Sequence, residues 1–141
     1  MKIKSFSLLE IIFAIAIISI IAIVAIPKLG GSLNKANSIK IKSDIVLIRE
    51  GLNRYKNSSI LANNTTKLET LEDDNKLLFN KIISYPIASS NINKSTHWNK
   101  ISNSKYLVWI DSDTSLVFNY DKLNYTFDCN KRDTYCKEYS Q

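Results

Sequence analysis

Apolar side chains occupy almost every position of residues 6–26, and the only interruptions are Ser7, Glu10 and Ser19. A helix of this length measures about 30 Å, which is the thickness of the hydrocarbon core of a bilayer. Its apolar side chains would cover every side of the helix, so burial in the core of a soluble protein is disfavoured. The pattern predicts a membrane-spanning helix over residues 6–27.

A second helical pattern follows Pro27, with apolar residues at steps of three and four. Its members form one stripe: Ile41, Ile45, Ile48, Leu52 and Tyr55. We therefore expect the helix to continue through residues 28–56 as an amphipathic segment whose stripe packs on a C-terminal domain. Pro27 removes a backbone hydrogen bond, and Gly30 and Gly31 each cost about 1 kcal/mol relative to Ala in a helix. A kink is consistent with these residues, and the alternative is a helix that ends at Gly30.

The remaining residues, 57–141, predict a small globular domain. A polar stretch at 57–66 is interpreted as a linker, and residues 76–83 as a short helix capped by Asp73 or Asp74. From residue 98 to 129 the apolar period changes to two, with turn residues at 111–114 and 121–124. This pattern predicts an antiparallel meander of three strands with a short strand near Trp98. The fold class is α+β, a long N-terminal helix packed on a small antiparallel sheet.

The net charge of +6 is unevenly distributed along the chain. Residues 28–56 carry seven Lys or Arg against Asp44 and Glu50, whereas residues 57–141 carry ten basic and ten acidic side chains. A broad nucleic-acid-binding face on the C-terminal domain is therefore not supported, although a local basic cluster leaves DNA contact open. This cluster comprises Lys131, Arg132 and Lys137. Lysines flank the apolar segment on both sides, so charge counting does not set its orientation.

Catalytic and metal-binding patterns are missing from the sequence. It contains no Gly-rich phosphate loop and no Ser/His/Asp arrangement, and His97, beside Trp98, is interpreted as a surface or turn residue. The adjacent acids Asp73 and Asp74 have no further ligands near them, which favours a helix cap over a metal site. We expect a protein without enzymatic activity, metal or cofactor.

Cys129 and Cys136 lie seven positions apart near the end of the sequence. With no CxxC motif and one histidine, a zinc site is disfavoured. A disulfide between the two would contribute about 2 to 3 kcal/mol by closing a short loop, and it would require an oxidising compartment. Two unpaired thiols are the alternative.

Glu10 is the exceptional residue of the apolar segment, because a carboxylate inside a membrane helix costs about 2.5 to 3.5 kcal/mol. A removed signal peptide is disfavoured by the length of the apolar run and by the lack of a small-x-small cleavage site. A plain membrane anchor explains the length but leaves Glu10 unexplained. The residues K-S-F-S-L-L-E at positions 4–10, followed by the apolar run, resemble the N-terminus of type IV prepilins and pseudopilins.

The resemblance implies a processing site and a role for Glu10. In that family a membrane peptidase removes a short basic leader before an aromatic residue and methylates the new N-terminus. Here the leader would be residues 1–5, cut between Ser5 and Phe6, and Phe6 would become N-methylated. Glu10 would then be the fifth residue, and it would pair with the Phe6 amine of a neighbouring subunit during filament assembly. The family usually has Gly before the cut, so Ser5 predicts slower processing.

The resemblance also implies a function, partners and a location. The expected function is that of a minor pilin or pseudopilin, a structural subunit of a pilus-like filament for secretion, DNA uptake or pilus assembly. The expected partners are the prepilin peptidase, other pilin or pseudopilin subunits, an inner-membrane assembly platform and membrane lipid. The protein would cross the inner (cytoplasmic) membrane once, with its C-terminal domain in the periplasm, and would also occur in the filament. Relatives often have a C-terminal disulfide loop, as a Cys129–Cys136 bond would form here.

A different class of function remains open from the sequence. The chain could be a membrane-anchored periplasmic binding module that recognises DNA or a secretion substrate. The sequence does not distinguish among secretion, DNA-uptake and pilus machines.

Overall fold

The structure, a computed structural model, describes residues 7–63, 67–74 and 76–140, except for the side chains of residues 28–30. The chain divides into two compact units, Met1–Ala36 and Asn37–Gln141. The predicted leader and cleavage site at residues 1–6 lie outside the described residues. The predicted boundary at residue 27, between the membrane-spanning and the amphipathic half of the helix, stays a prediction.

Helix α1 covers Leu8–Leu61 and includes Pro27. The alternative in which the helix ends at Gly30 is therefore wrong, and the end predicted near residue 56 falls five residues too early. The polar residues after 56 still extend the helix, and Ser58 Oγ donates a hydrogen bond to the Tyr55 carbonyl oxygen at 2.9 Å. The helix ends before Asn63, whose φ of 51° is in the left-handed region that commonly terminates helices.

The first unit contains the apolar part of α1. By length and composition this helix is long enough and apolar enough to cross a membrane. Large apolar side chains such as Ile12, Ile18 and Ile23 are exposed along it. Such a surface favours hydrocarbon over water, because in water apolar groups would be exposed on every side of the helix.

The second unit is built on the predicted stripe of α1. Ile41, Ile45, Ile48 and Leu52 are almost completely buried, and Tyr55 packs against the same core. The helical periodicity therefore identified the buried face of this half of α1 correctly.

A four-stranded antiparallel meander supplies most of the remaining core. Strands β1 (Leu77–Leu78) and β2 (Ile87–Ala88) form a separate two-stranded sheet. The four strands of the meander follow them in chain order. They are β3 (Trp98–Ser102), β4 (Lys105–Trp109), β5 (Ser115–Asp121) and β6 (Thr126–Cys129). The predicted meander, including the strand at Trp98, is confirmed.

The meander turns are made by aspartates, as expected from the sequence. Asp111 Oδ1 accepts hydrogen bonds from the backbone N–H groups of Asp113 at 2.8 Å and Thr114 at 2.7 Å. These bonds, first of all the one from Asp113, hold the pKa of the Asp111 carboxyl below its usual value. Asp121 acts similarly at the next turn, where its side-chain bond with Asn124 lowers the pKa of its carboxyl.

The helix predicted over residues 76–83 is wrong, and so is the cap role of Asp73 or Asp74. This segment instead forms β1 and a tight turn in which Phe79 has a φ of 64°. Asp74 Oδ1 accepts a hydrogen bond from the Lys76 N–H at 3.0 Å, which is turn chemistry. A helix of eight residues has little stability of its own. Burial of Phe79 against three aromatic rings therefore decides the conformation.

A second helix, α2 (Thr134–Tyr139), was not predicted. Asp133 is its N-cap and accepts a hydrogen bond from the Tyr135 N–H at 2.8 Å. An aspartate before a threonine is a start signal for a helix, but the segment spans fewer than two turns and offers little apolar periodicity. Cys136 and Tyr139 are its buried residues.

Candidate functional site

Glu10 lies in the first turn of α1 and is exposed on the helix surface. Its neighbours Leu9 and Phe13 are exposed as well, so the carboxylate stands on an otherwise apolar surface. It forms no ion pair with any residue that the structure describes. The arrangement therefore places an acid on an apolar helix that is long enough to cross a membrane, with no ion-pair partner among the residues that the structure describes.

Ser19 provides a useful contrast within the same segment. Its Oγ donates a hydrogen bond to the Ile15 carbonyl oxygen at 2.8 Å. A serine bonded in this way satisfies its polar group inside its own helix and needs no external partner. Glu10 differs from Ser19, because its carboxylate carries a charge and forms no ion pair with the residues that the structure describes.

The proposed cleavage site, between Ser5 and Phe6, falls outside the described residues. Its geometry, and with it the distance from the Phe6 amine to Glu10, stays a prediction. The helix begins at Leu8, two residues after Phe6, the expected new N-terminus.

Arg49 attaches the edge of the sheet to α1 in the second unit. Its Nε donates to the Phe127 carbonyl oxygen at 3.0 Å, and one terminal nitrogen donates to Asp128 Oδ1 at 2.7 Å. The guanidinium also donates to the Ser140 carbonyl oxygen at 3.1 Å. Strand β6 is an edge of the sheet, so Phe127 has no neighbouring strand to pair with on that side. Arg49 supplies the missing donor and fixes the C-terminal segment to the helix.

A disulfide joins Cys129, at the end of β6, to Cys136 in α2. The two Cα atoms are 5.7 Å apart, and both side chains are buried. Beyond the bond, the Tyr139 hydroxyl lies 2.9 Å from Ser38 Oγ, and Lys42 Nζ lies 5.8 Å from the centre of the Tyr139 ring. The C-terminal loop is therefore closed by one covalent bond, and the contacts of Tyr139 hold it to α1.

Two carboxylates that the sequence did not single out are buried in the core. Asp44 Oδ2 accepts a hydrogen bond from Trp98 Nε1 at 3.0 Å. It also forms an ion pair with Lys40, whose Nζ lies 2.9 Å away. These contacts satisfy a buried charge that would otherwise be costly. They also fix the first strand of the meander on α1.

Glu72 is the second buried carboxylate. Its Oε1 lies 2.7 Å from Lys100 Nζ, and its Oε2 accepts a hydrogen bond from the Tyr106 hydroxyl at 3.0 Å. Burial, followed by the negative charge of Glu72, raises the pKa of the Tyr106 phenol. This network connects the segment before β1 to β3 and β4, and its arrangement indicates a structural role.

No group of three or more potential metal ligands occurs among the residues that the structure describes. Asp73 Oδ1 lies 3.1 Å from Lys81 Nζ, so one member of the acidic pair forms an ion pair at the surface. His97 immediately precedes β3, and its Nδ1 lies 3.1 Å from the Lys94 carbonyl oxygen.

Two curated proteins are similar to part of this chain. Type II secretion system core protein G of Klebsiella michiganensis is 42% identical over 53 residues, which are 38% of this chain and 37% of the relative. The protein of the same name from Escherichia coli K12 is 42% identical over 55 residues, 39% of this chain and 38% of the relative. The chain therefore spans less than two fifths of either relative. No family model and no solved structure matches it.

The matches confirm the family resemblance that residues 4–10 and the following apolar run indicated. Both relatives are pseudopilins, which are structural components of the secretion system.

Proposed function

We propose that this chain is a pseudopilin, a structural subunit of a filament that serves type II secretion. The observation that carries the proposal is Glu10, a carboxylate with no ion-pair partner among the described residues, on an apolar helix long enough to cross a membrane. Similarity to core protein G from two bacteria supports the choice of secretion over DNA uptake or pilus extension.

Cleavage between Ser5 and Phe6 creates the partner that Glu10 needs. Before cleavage the Phe6 nitrogen is an amide, and afterwards it is an ammonium whose charge N-methylation retains. Each charge alone is expensive in hydrocarbon, whereas the two attract strongly at low dielectric constant. The Glu10 carboxylate of an incoming subunit pairs with the Phe6 amine of the subunit above it. Assembly therefore waits for cleavage.

The pairing also fixes where the subunit stands in the filament. A subunit at the tip has no neighbour above it, so a carboxylate at its fifth position would find no amine. Because Glu10 is present, this subunit occupies positions below the tip.

The proposal assigns a location to each part of the chain. The leader (residues 1–5) stays with the peptidase on the cytoplasmic side, and residues 6–27 cross the inner membrane once. Residues 28–56 form the amphipathic half of the helix, and residues 57–141 form the periplasmic domain. The Cys129–Cys136 disulfide supports this side of the membrane, because such bonds persist in oxidising compartments. Other pseudopilins, membrane lipid and the assembly platform are the remaining partners.

The test is the substitution Glu10→Val, with Ser19→Val as the matched control in the same helix. Glu10→Val should still be cleaved and should insert more favourably than the wild type, because an uncompensated charge is removed. It should nevertheless fail to enter the filament and fail to restore secretion in a strain that lacks the subunit. Ser19→Val should behave as the wild type, since the hydroxyl bonds only within its own helix.

The readouts are an immunoblot for processing, a membrane fractionation and a secretion assay on the same cultures. Full secretion by a processed Glu10→Val protein would show that the ion pair is unnecessary, and the proposed assembly mechanism would then be wrong.

A further inference from the structure

The stretch of α1 that follows the apolar segment is basic. Between Glu10 and Asp44 the sequence contains four basic residues and no acidic one. They are Lys28, Lys35, Lys40 and Lys42. No acidic side chain within the stretch balances these charges, so the surroundings of each lysine decide what it pairs with.

Two of the four lysines have partners in the second unit. Lys40 Nζ lies 2.9 Å from Asp44 Oδ2, and Lys42 Nζ lies 5.8 Å from the centre of the Tyr139 ring. Lys35, in the first unit, is exposed and forms no ion pair with any residue that the structure describes. Every residue at positions 31–36 is exposed. This part of the helix therefore presents a positive charge to its surroundings.

Lys28 and Lys35 occupy the same side of α1. The helix is continuous through both positions. Seven residues at 3.6 residues per turn correspond to two turns less about 20°, so the two positions lie almost one above the other. Their separation along the helix axis is about 10 Å. Two positive charges are thus aligned along one side of the helix directly after the apolar segment.

The rise of the helix places both positions within reach of lipid headgroups. The apolar run ends at Ile26, so position 28 lies about 3 Å and position 35 about 13 Å beyond it along the axis. The headgroup layer extends about 5 to 8 Å from each side of the hydrocarbon core. Helical side chains tilt towards the helix N-terminus, which here is the membrane side, and the four-carbon stem of a lysine spans the remaining distance.

A lipid headgroup fits this surface better than a free phosphate ion does. A phosphate group beside either lysine satisfies the charge whichever molecule carries it. Leu33, however, lies in the same stretch and is 64% exposed. Lipid beside the helix covers Leu33 as well as pairing with the lysines, whereas a free ion covers no apolar area.

We propose that Lys28 and Lys35 bind the headgroups of anionic phospholipids on the side of the membrane that the helix reaches after residue 27. The inference rests on the proposed function, because it requires residues 6–27 to cross the membrane. A lysine near an anionic membrane surface strengthens binding about fivefold, so the two together give about 25-fold. The attraction weakens as the salt concentration rises. Before assembly, such binding keeps the subunit in regions of the membrane that are rich in anionic lipid.

The test measures lipid binding to the full-length protein in detergent by native mass spectrometry. Phosphatidylglycerol, which is anionic, and phosphatidylcholine, which has no net charge, are added in separate titrations. The variant is the double substitution Lys28→Gln and Lys35→Gln. The matched control is Arg54→Gln with Lys56→Gln, which removes two exposed charges from α1 about 30 Å farther along the helix.

We expect the wild type to bind phosphatidylglycerol more tightly than phosphatidylcholine, and less tightly at higher salt concentration. The double variant at residues 28 and 35 should bind phosphatidylglycerol about 25-fold more weakly, and phosphatidylcholine as the wild type does. The control should bind both lipids like the wild type. Glycerol phosphate, a soluble headgroup without acyl chains, should not displace the bound lipid. Formation of the Cys129–Cys136 bond serves as the folding control for each variant.

Three results would overturn the inference. The first is equal binding of the two lipids by the wild type, and the second is undiminished binding of phosphatidylglycerol by the variant at residues 28 and 35. The third is displacement of the lipid by glycerol phosphate at equal concentration, which would make a free anion the ligand.

Failure of the proposed function gives a different set of results. Glu10→Val retains both lysines and should bind phosphatidylglycerol like the wild type, so the assembly mechanism and the lipid site are tested independently. If the wild type binds neither lipid, the membrane-spanning segment of the proposed function is wrong, and the lipid site is wrong with it.

Discussion

Gly51→Ala is the substitution whose consequence can be worked most directly from the structure. Gly51 is buried on the side of α1 that faces Ile82. A Cβ atom added at Gly51 would overlap the Ile82 carbonyl oxygen and would lie 3.0 Å from its carbonyl carbon. The obstacle is backbone rather than a flexible side chain. The turn that carries it is held by hydrogen bonds from the Ile82 and Ile83 N–H groups to the Phe79 carbonyl oxygen, each 3.0 Å long.

Two opposing effects determine how much Gly51→Ala changes the free energy of unfolding. Replacing Gly by Ala within a helix stabilises a protein by about 0.5 to 1 kcal/mol where there is space for the methyl group. Overpacking a closed contact costs about 1 to 3 kcal/mol, and the upper part of that range applies when backbone must move. We expect a net loss of about 1 to 2 kcal/mol. For a domain of this size the corresponding fall in Tm is about 5 to 15 °C.

The assay is thermal unfolding of the full-length protein in detergent, followed by tryptophan fluorescence, since Trp98 is fully buried in the core. Gly31→Ala is the matched control, because a Cβ at Gly31 meets nothing within 4 Å. It makes the same chemical change in the same helix, and it should not lower the Tm of the second unit. An unchanged or higher Tm for Gly51→Ala would refute the close contact between α1 and the turn at Ile82.

Three further substitutions test the second unit. Cys129→Ser should lower the free energy of unfolding by about 2 to 3 kcal/mol in a urea titration, while far-UV circular dichroism shows that the upstream strands remain; equal stability with and without a reductant would contradict a role for the bond. Arg49→Leu should cost about 1 to 3 kcal/mol in the same titration because it leaves the Phe127 carbonyl oxygen without its donor, and Arg49→Lys should recover only part of this. Burial raises the pKa of Tyr106, so the stability due to its neutral phenol is complete below about pH 10, the unfolded value, and is lost as pH rises further. Tyr106→Phe should therefore reduce the slope of stability against pH above that point, and an unchanged slope would show that another group titrates there.

Local periodicity explains which parts of the fold the sequence predicted. The stripe from Ile41 to Leu52 repeats every three or four residues, and each member is buried. Alternation from Tyr106 onward likewise matched the meander, in which Tyr106 pairs with Phe118 and Val108 with Leu116. In both cases one buried face imposes a period that can be read without knowing the partner.

Contacts between distant residues explain what the sequence did not predict. Residues 76–83 contain apolar residues compatible with a helix, but the position of Phe79 among Trp98, Tyr106 and Phe127 imposes a turn instead. No local pattern indicates that Glu72 is buried beneath Lys100. In the same way, Asp44 meets Trp98 across 54 positions of the chain. Such partners become known only when the fold brings them together.

The functional residues likewise divide into those that a local sequence pattern reveals and those that depend on distant contacts. Glu10 could be recognised because a single charge interrupts an apolar run, and its spacing from Phe6 supplied a chemical reason. Arg49 could not be recognised, because its importance derives from the edge of β6 and from the end of α2, which lie about eighty and ninety positions further along the chain. Its charge alone is not different from that of the other basic residues in the helix.

The central claim is that this chain is a processed filament subunit, and the mass of its mature N-terminus tests that claim most directly. The protein should be taken from the membranes of cells that contain the prepilin peptidase, and its N-terminal peptide measured by mass spectrometry. A variant with a bulky residue at Ser5 serves as the control, since it should remain in the membrane with its leader attached. The account predicts a chain without residues 1–5 that begins with N-methylated Phe6. An intact Met1 in the wild-type protein, or a cut near Ala25, would contradict it.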